Sequence, residues 1–305
     1  MTSQQARYPQ SDFSIHPDTG IGYLSLTVSS LEHQIAFYQQ ALGFQLRRQQ
    51  GNRVYLGTSQ RDLLELVENP TASRHRQVTG LYHQALLYPD RRQLARAVAR
   101  IFAHQIPNYP TDHIMTKTTY LDDQEGNGLE LYCESPEDGS WDLTAGKYIT
   151  RRADGSLSSG REPLDVEALF SHLKEDDRLD TDLPDETRIG HVHLHVRDLP
   201  EALAFYHGIL GFDLMGMDPS IGMGFVSAGG YHHHIGLNTW QGVGAPPPPE
   251  NAIGLNYFSV QLPDQAAYDQ VLDRVQAAGL ATTEKENGAL VFDPSRNGIL
   301  LTSSD

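Results

Sequence analysis

The chain has 305 residues, 39% of them hydrophobic, and its 23 Lys and Arg against 39 Asp and Glu give a formal charge of -16 at pH 7. This charge, with no Lys/Arg-rich stripe to offset it, would repel phosphate backbones and argues against nucleic acid as a partner. Because no apolar run approaches the roughly 20 residues of a membrane span and the first residues lack a secretory signal, we expect a two-domain cytoplasmic protein without membrane contact.

The first predicted elements are a strand followed by a helix, and this pair occurs twice in the chain. IGYLSLTVSSLEHQIAFYQQALGF begins at Ile21, and IGHVHLHVRDLPEALAFYHGILGF begins at Ile189. A gap-free self-alignment makes about half of these positions identical. Alternating apolar residues predict a half-buried strand in each copy, and the apolar residues that follow recur at helical spacing. Gly43 and Gly211 are placed to end the two helices.

A second pair of segments shows the same duplication. GLYHQALLYPD from Gly80 resembles GLNYFSVQLPD from Gly254, and each is followed by a helical stretch and an Asn-Gly turn before a last strand. The sequence therefore predicts four βαβββ modules, each with one helix on a small sheet. Their approximate bounds are 20–70 for module one, 78–135 for module two, 188–242 for module three and 252–303 for module four.

Residues between modules two and three are polar and predict a connection between domains. We expect an N-terminal domain at 1–138, a linker at 139–187 and a C-terminal domain at 188–305. A proline-rich stretch that begins at Gly244 predicts a stiff spacer between the last two modules. The single cysteine, Cys133, lies in an alternating strand pattern, which favours a passive buried thiol over a nucleophile.

The motifs LAFYHGILGF after a first strand and NGLEL before a last strand resemble the vicinal oxygen chelate superfamily, over almost the whole chain. The resemblance implies an α+β fold in which four βαβββ modules form two barrel-like mixed sheets. GLYHQALLYPDR, DHIMTKTTYLDDQEGNGLELY, GHVHLHV and GGYHHHIGLNTW are most similar to the two-domain catechol 2,3-dioxygenases. Glyoxalases, epimerases and antibiotic-binding proteins share this fold, so the chemistry has to be inferred from the site.

The resemblance implies a metal site with one ligand from the first strand of each of two paired modules and a glutamate from a last strand. Modules two and three provide such a set in His83, Glu130 and His191. The set requires module two to pair with module three, across the two halves of the chain. Two imidazoles and one carboxylate leave three positions open, which suits non-haem Fe(II), with Mn or Zn as alternatives.

The remaining modules offer no such set, and neighbouring histidines leave the ligand choice open. Tyr23 stands at the first-strand position of module one, and in module four Asn256 or Tyr257 stands there with Leu300 in place of the glutamate. His193 and His195 share a strand face with His191, and His233 lies on a later strand. A shift in register would make one of these three a ligand in place of a proposed one.

Three further residues are candidates for catalysis, each with a structural alternative. The resemblance implies that Tyr120, ten positions before Glu130, bonds the substrate or an adjacent oxygen; it could equally be a core aromatic. His113 is a candidate acid or base, or else a solvent-facing loop histidine. We interpret YHHHIGLNTW as a strand with His233 on the face opposite His232 and His234, and with Ile235 as the counterpart of Glu65. That placement aims His233 into the site, although a structural histidine remains possible.

The function implied by the resemblance is Fe(II)-dependent extradiol cleavage of a small aromatic diol by O2, with His113 or His233 as the acid/base. The first alternative is a glyoxalase-like lyase or isomerase, in which Glu65 could serve as an additional ligand. The second is a binding protein without catalytic activity. Exposed sheet edges make a homo-oligomer possible by analogy, and the ring substituents of the substrate stay undetermined.

Overall fold

The computed structural model describes residues 12–142 and 148–304, and each predicted module is present as one helix and four strands. The elements of modules one and two are β1 (Gly20–Val28), α1 (Leu31–Phe37), β2 (Gln45–Gln50), β3 (Arg53–Gly57), β4 (Asp62–Glu68), β5 (Gly80–Leu87), α2 (Arg91–Ala103), β6 (Tyr109–Asp112), β7 (Thr116–Asp122) and β8 (Gly128–Glu134). A π-helical turn, Tyr38–Leu42, continues α1.

The connection between the halves forms short elements, and modules three and four repeat the first pattern. The connection contains a 3-10 turn (Pro136–Asp138), β9 (Gly139–Asp142), β10 (Ile149–Arg152), β11 (Leu157–Ser158), β12 (Glu162–Pro163) and α3 (Val166–Phe170). The elements of modules three and four are β13 (Arg188–His195), α4 (Leu199–Leu203) with a π-helical continuation (Ala204–Ile209), β14 (Asp213–Asp218), β15 (Met223–Ser227), β16 (Ile235–Asn238), β17 (Gly254–Leu262), α5 (Gln265–Ala277), β18 (Thr283–Lys285), β19 (Gly288–Phe292) and β20 (Gly298–Ser303).

The helices begin and end at the residue types that the sequence places there. Asp90 and Asp264 accept a hydrogen bond from the backbone N–H three residues on, which satisfies one of the free donors at the start of α2 and α5. Gly43 and Gly211 have φ of 80° and 86°, the left-handed conformation that glycine adopts without strain. Both glycines end a helix, as predicted. No helix among the described residues has the length and apolar character that a membrane span requires.

Two mixed sheets organise the fold, and each one combines a module from each half of the chain. One has eight strands in the order β18-β19-β20-β17-β1-β4-β3-β2, and the other has nine in the order β12-β6-β7-β8-β5-β13-β16-β15-β14. The central pairs, β1 with β17 and β5 with β13, are antiparallel. Within a module the first strand lies parallel to the last. The α+β fold is confirmed, and neither sheet closes into a barrel across the described strands.

The pairing of module two with module three, which the predicted metal site requires, is therefore present in the nine-stranded sheet. Modules one and four form the eight-stranded sheet in the same way. The domain division at 1–138, 139–187 and 188–305 follows the repeat and stays a prediction, because each sheet takes strands from both predicted domains. The connection also does more than join them, since β12 pairs with β6 at the edge of the nine-stranded sheet.

Two buried tyrosine hydroxyls link the two sheets at equivalent places in the repeat. Tyr38, after α1, donates to Asp123 in the β7–β8 turn at 3.2 Å, and Tyr206, after α4, donates to Asp293 in the β19–β20 turn at 3.0 Å. Each aspartate also accepts from the backbone and side chain of the asparagine four residues on. Burial raises the pKa of Asp293 to about 6. Each hydrogen bond thus joins a helix above one sheet to a turn of the other.

We expect Tyr206→Phe to lower the free energy of unfolding by about 1–3 kcal/mol, because it leaves the buried Asp293 carboxyl without one of its donors. Urea unfolding followed by circular dichroism measures the change. Tyr109→Phe is the matched control, because Tyr109 is 72% exposed. Equal unfolding midpoints for the two variants would show that the Tyr206 hydroxyl contributes nothing to the joint between the sheets.

Candidate metal centre and active site

Three side chains from different strands converge in the nine-stranded sheet. The Nε2 atoms of His83 and His191 lie 3.0 Å and 3.1 Å from Glu130 Oε2, and 3.3 Å from each other. All three residues are buried, and together they form the group of His, Asp, Glu or Cys in the described chain that could hold a metal ion. The structure thus brings together the ligand set that the sequence predicts.

Strand register explains why these side chains meet. In the antiparallel pair of β5 and β13, His193 stands opposite His83 and His191 opposite Ala85. In the parallel pair of β5 and β8, Glu130 also stands beside Ala85. Because side chains alternate between the faces of a strand, His83, Glu130 and His191 project to the same face.

The distances between these atoms fit a metal with ligands at right angles. Ligands about 2.1 Å from a metal ion and 90° apart lie about 3.0 Å from one another. The separations of 3.0 to 3.3 Å match that spacing on all three sides. One carboxylate oxygen and two imidazole nitrogens are also a donor set that divalent transition metals accept.

The protonation of the group favours metal binding at neutral pH. Burial acts to raise the pKa of Glu130, but the neighbouring His191 and His83 hold it well below its ordinary value. Burial lowers the pKa of His191 to about 4. An ionised carboxylate and a neutral imidazole are the forms that bind a metal ion.

His113 and Tyr120 lie together beside the metal group. Tyr120 is the cross-strand partner of Glu130, and its hydroxyl lies 2.8 Å from His113 Nε2. His113 Nδ1 donates to the carbonyl of Gly160, so Nε2 carries the lone pair that accepts from Tyr120. His113 is thus a partly buried loop residue that lines the cavity. Burial lowers the pKa of His113 and raises that of Tyr120.

The prediction for the histidine run before β16 is wrong in its geometry. Residues 231–234 form bends and irregular backbone, and the strand begins only at Ile235. His232 and His233 therefore contact each other through their Nδ1 atoms at 2.8 Å instead of lying on opposite faces. His233 nevertheless lines the cavity, and its ring centroid lies 4.2 Å from that of His191. His234 turns away and bonds Ser227.

The predicted counterpart of Glu65 is also wrong by one residue. Glu65 pairs with Ser25 in the first half, and the repeat places Gly236, opposite His193, at that position. A Cβ on Gly236 would lie 2.9 Å from His193 Cγ, so glycine provides the space for this ring. Ile235 pairs with Val192 instead and is fully buried.

The neighbouring histidines on β13 have other surroundings. His195 is bonded through both nitrogens, to Asn238 at 2.7 Å and to Gln241 at 3.3 Å, which leaves neither free for a metal. The ring of His193 packs against Trp240, with 5.5 Å between the ring centroids. His193 does not belong to the group formed by His83, Glu130 and His191. Cys133 is a buried free thiol whose pKa burial raises to about 12, as expected of a passive residue.

The cavity above the metal group has a volume of about 240 Å³, and the connection between the halves supplies part of its wall. This was missed from the sequence, where the connection was interpreted as a linker. The connection contributes Trp141, Tyr148, Ser159 and Arg161. Trp141 Nε1 donates to the carbonyl of His113, which holds this wall against the site. The sequence signal was weak: Trp141 is the single tryptophan of this polar stretch, and Arg161 is one of its four arginines.

The equivalent face of the eight-stranded sheet carries a different set of side chains. Tyr23 and Tyr257 replace the two histidines, and Leu300 replaces the glutamate. Tyr257 donates to Glu65 at 2.7 Å, and Arg53 pairs with the same carboxylate at 2.9 Å. Glu65 is therefore engaged in the other sheet and does not join the group around Glu130.

Comparisons with known proteins agree with this fold. A family model described as the Glyoxalase/Bleomycin resistance protein/Dioxygenase superfamily matches residues 20–131 and 188–300. The catechol-2,3-dioxygenase of Bacillus subtilis (strain 168) is 45% identical over 284 residues, which cover 92% of this chain and 96% of that protein.

Solved structures share the fold at low sequence identity. A structure from Bacillus subtilis subsp. subtilis strain 168 has a TM-score of 0.64 and 12% identity, and the match covers 95% of this chain and 86% of that one. Glyoxalase I from Zea mays has a TM-score of 0.56 and 14% identity, with coverage of 94% and 92%. Because the family model matches both halves of the duplicated chain, the chain belongs to the Glyoxalase/Bleomycin resistance protein/Dioxygenase superfamily.

Proposed function

We propose that the protein is an Fe(II)-dependent extradiol dioxygenase that opens the ring of a catechol-type diol with O2. The observation that carries the proposal is the convergence of His83, Glu130 and His191 across the two halves of the chain. Two histidines and one carboxylate on one side of a metal leave adjacent positions open, the arrangement suited to non-haem Fe(II) oxygen chemistry. The 45% identity to a catechol-2,3-dioxygenase supports the same activity.

The metal and the cavity have separate tasks in this proposal. When bound, Fe(II) supplies Lewis acidity toward the diol hydroxyls and the redox chemistry that O2 requires. The protein supplies the three ligands and a cavity of about 240 Å³ that is lined largely by aromatic and histidine side chains. This volume is below the roughly 300–1,000 Å³ of sites for drug-sized ligands, and it suits a single substituted ring.

Tyr120 and His113 provide a path for a proton that leaves the substrate. The Tyr120 hydroxyl donates to His113 Nε2, so its oxygen is free to accept from a diol hydroxyl. His113 is held in this tautomer by the Gly160 carbonyl at Nδ1. A proton can therefore pass from the diol to Tyr120 while the Tyr120 proton passes to His113.

His233 is set up as a base by the residues behind it. Glu134 accepts from His232 Nε2 at 3.1 Å, so His232 Nδ1 bears a lone pair and accepts from His233 Nδ1. The remaining nitrogen of His233, Nε2, is then unprotonated and available to the cavity. Burial lowers the pKa of His233 well below its ordinary value, which keeps the imidazole neutral until it takes a proton from the substrate.

The alternatives are less well supported by the site. A glyoxalase-like site would recruit a further carboxylate, and the candidate for it, Glu65, is bound to Tyr257 and Arg53 in the other sheet. A binding protein without catalysis would not need the complete His-His-Glu group. Both alternatives are separated from the proposal by the metal content and oxygen uptake of the protein.

We expect His83→Ala, Glu130→Ala and His191→Ala each to abolish stoichiometric binding of Fe(II), because each removes one of three ligands. Metal content after anaerobic loading and desalting, measured by mass spectrometry, tests this. His193→Ala is the control, since His193 occupies the neighbouring position on β13 but lies outside the group. Loss of metal in His193→Ala with retention in His83→Ala would establish a different ligand set.

We expect the Fe(II)-loaded protein to consume O2 with catechol and to form a yellow ring-opened product. An oxygen electrode and visible absorbance follow the two changes together, and Zn-loaded protein should show neither because Zn has no redox chemistry. Metal binding without oxygen uptake across several catechols would favour the isomerase. Failure to bind any metal would favour the binding protein.

We expect His233→Gln to lower kcat by about 10²-fold or more while the iron content is unchanged, because glutamine cannot transfer the proton. Steady-state oxygen uptake and metal analysis provide the two readouts. His234→Gln is the matched control, since His234 is adjacent in sequence and bonds Ser227 outside the cavity. A kcat for His233→Gln equal to that of the control would remove His233 from the mechanism.

A further inference from the structure

The cavity over the metal group contains a cation that the proposed reaction does not use. Among the described residues that line it, Arg161 is the single Lys or Arg, and Glu130 is the single acid. Ring opening of an unsubstituted catechol requires the metal ligands and proton-transfer groups described above, and none of these steps needs a guanidinium.

The Arg161 guanidinium has no hydrogen-bond or ion-pair partner within the described parts of the chain. Its backbone N–H donates to Ser159 Oγ at 3.1 Å, but no contact engages the side chain. Two other arginines of the connection and its surroundings are paired: Arg152 binds Glu162, and Arg92 binds Asp177. An arginine without a partner at the wall of a cavity is available to an anionic ligand.

The backbone next to Arg161 is fixed to the site. Gly160 has φ of 69°, accepts from His113 Nδ1 through its carbonyl and donates to Ser158 Oγ at 3.0 Å. A Cβ on Gly160 would lie 2.5 Å from the ring of Tyr148, so a larger residue would displace this turn. On the other side, Glu162 belongs to β12 and lies opposite Asp112 in the antiparallel backbone pairing of β12 with β6. Arg161 is thus held between two anchored neighbours.

The positive charge of Arg161 affects the pKa values of other residues that line the cavity. Burial raises the pKa of Tyr148, and the positive charge of Arg161 acts against this increase. The same charge acts to lower the pKa of His113. The chain as a whole carries a formal charge of -16, which repels anions in solution. A local cation is therefore needed if the site is to select an anionic molecule.

We propose that the substrate is a catechol carrying a carboxylate on the ring or on a short side chain, and that Arg161 binds this carboxylate. The inference rests on the proposed function for the diol end of the molecule. Arg161 is exposed while His83, Glu130 and His191 are buried, so the diol would point to the cavity floor and the carboxylate to its mouth. A planar guanidinium matches a carboxylate with two parallel hydrogen bonds.

The test compares carboxylated and neutral substrates in wild type, Arg161→Met and Arg161→Lys. The substrates are 3,4-dihydroxybenzoate, 3,4-dihydroxyphenylacetate and 4-methylcatechol, with kcat/KM from oxygen uptake and Kd from anaerobic calorimetry. Arg151→Met is the matched control, because it removes one positive charge from the same connection at an exposed residue outside the cavity.

We expect wild type to prefer at least one carboxylated substrate over 4-methylcatechol. Arg161→Met should weaken kcat/KM and Kd for that substrate by about tenfold more than for 4-methylcatechol, with the effect mainly in KM, and Arg161→Lys should retain part of the preference. Added salt should raise KM for the carboxylated substrate more than for the neutral one, because the ion pair is exposed. Arg151→Met should match wild type.

Equal losses for both substrate classes in Arg161→Met, or a wild-type preference for 4-methylcatechol, would overturn the assignment of Arg161. Cleavage of 4-methylcatechol in that case would leave the proposed ring-opening activity intact. If no catechol is cleaved, the proposed function fails. The calorimetric Kd values then decide separately whether Arg161 binds the carboxylate, and equal values in wild type and Arg161→Met would reject it.

Discussion

The antiparallel pairing of β5 with β13 is the interaction on which the site depends. Its register sets His83 opposite His193 and brings His191 within 3.3 Å of His83, although the two ligands are 108 residues apart in the chain. The parallel strand β8 then adds Glu130 from the other side of β5. A slip of one residue would turn a ligand to the opposite face of the sheet, so this register determines whether the cavity can hold a metal at all.

The eight-stranded sheet has the same backbone arrangement as the nine-stranded sheet but lacks the metal-binding side chains. The eight-stranded sheet has the same central antiparallel pair, yet Tyr23 and Tyr257 stand where the histidines would be. Tyr257 and Arg53 bind the buried Glu65, and the Tyr23 hydroxyl contacts that of Tyr257, so the polar side chains of that face bond one another. The backbone therefore provides two equivalent positions for chemistry, and side chains at three places decide which one is used.

The four modules could be predicted from the sequence, because the repeat aligns each position with its counterpart. The ligand set of His83, Glu130 and His191, and the pairing across the halves that it requires, came from the resemblance to the vicinal oxygen chelate superfamily, applied to each module of the repeat. The histidine run was misplaced because it was interpreted as part of β16, which follows it directly, while the backbone bends there. The wall formed by Trp141 and Arg161 was missed because no local pattern reveals which distant surface a polar connection will cover.

The combination of strands from both ends of the chain has a consequence for how the molecule forms. Neither half can complete a sheet by itself, since β1 needs β17 and β5 needs β13. During synthesis the first half emerges with one edge of β1 and one edge of β5 unpaired, because β13 and β17 are synthesised later. Such long-range pairing slows folding, and it leaves the unpaired strands of the nascent N-terminal half open to association with other chains. The arrangement that creates the metal site also ties its assembly to completion of the whole polypeptide.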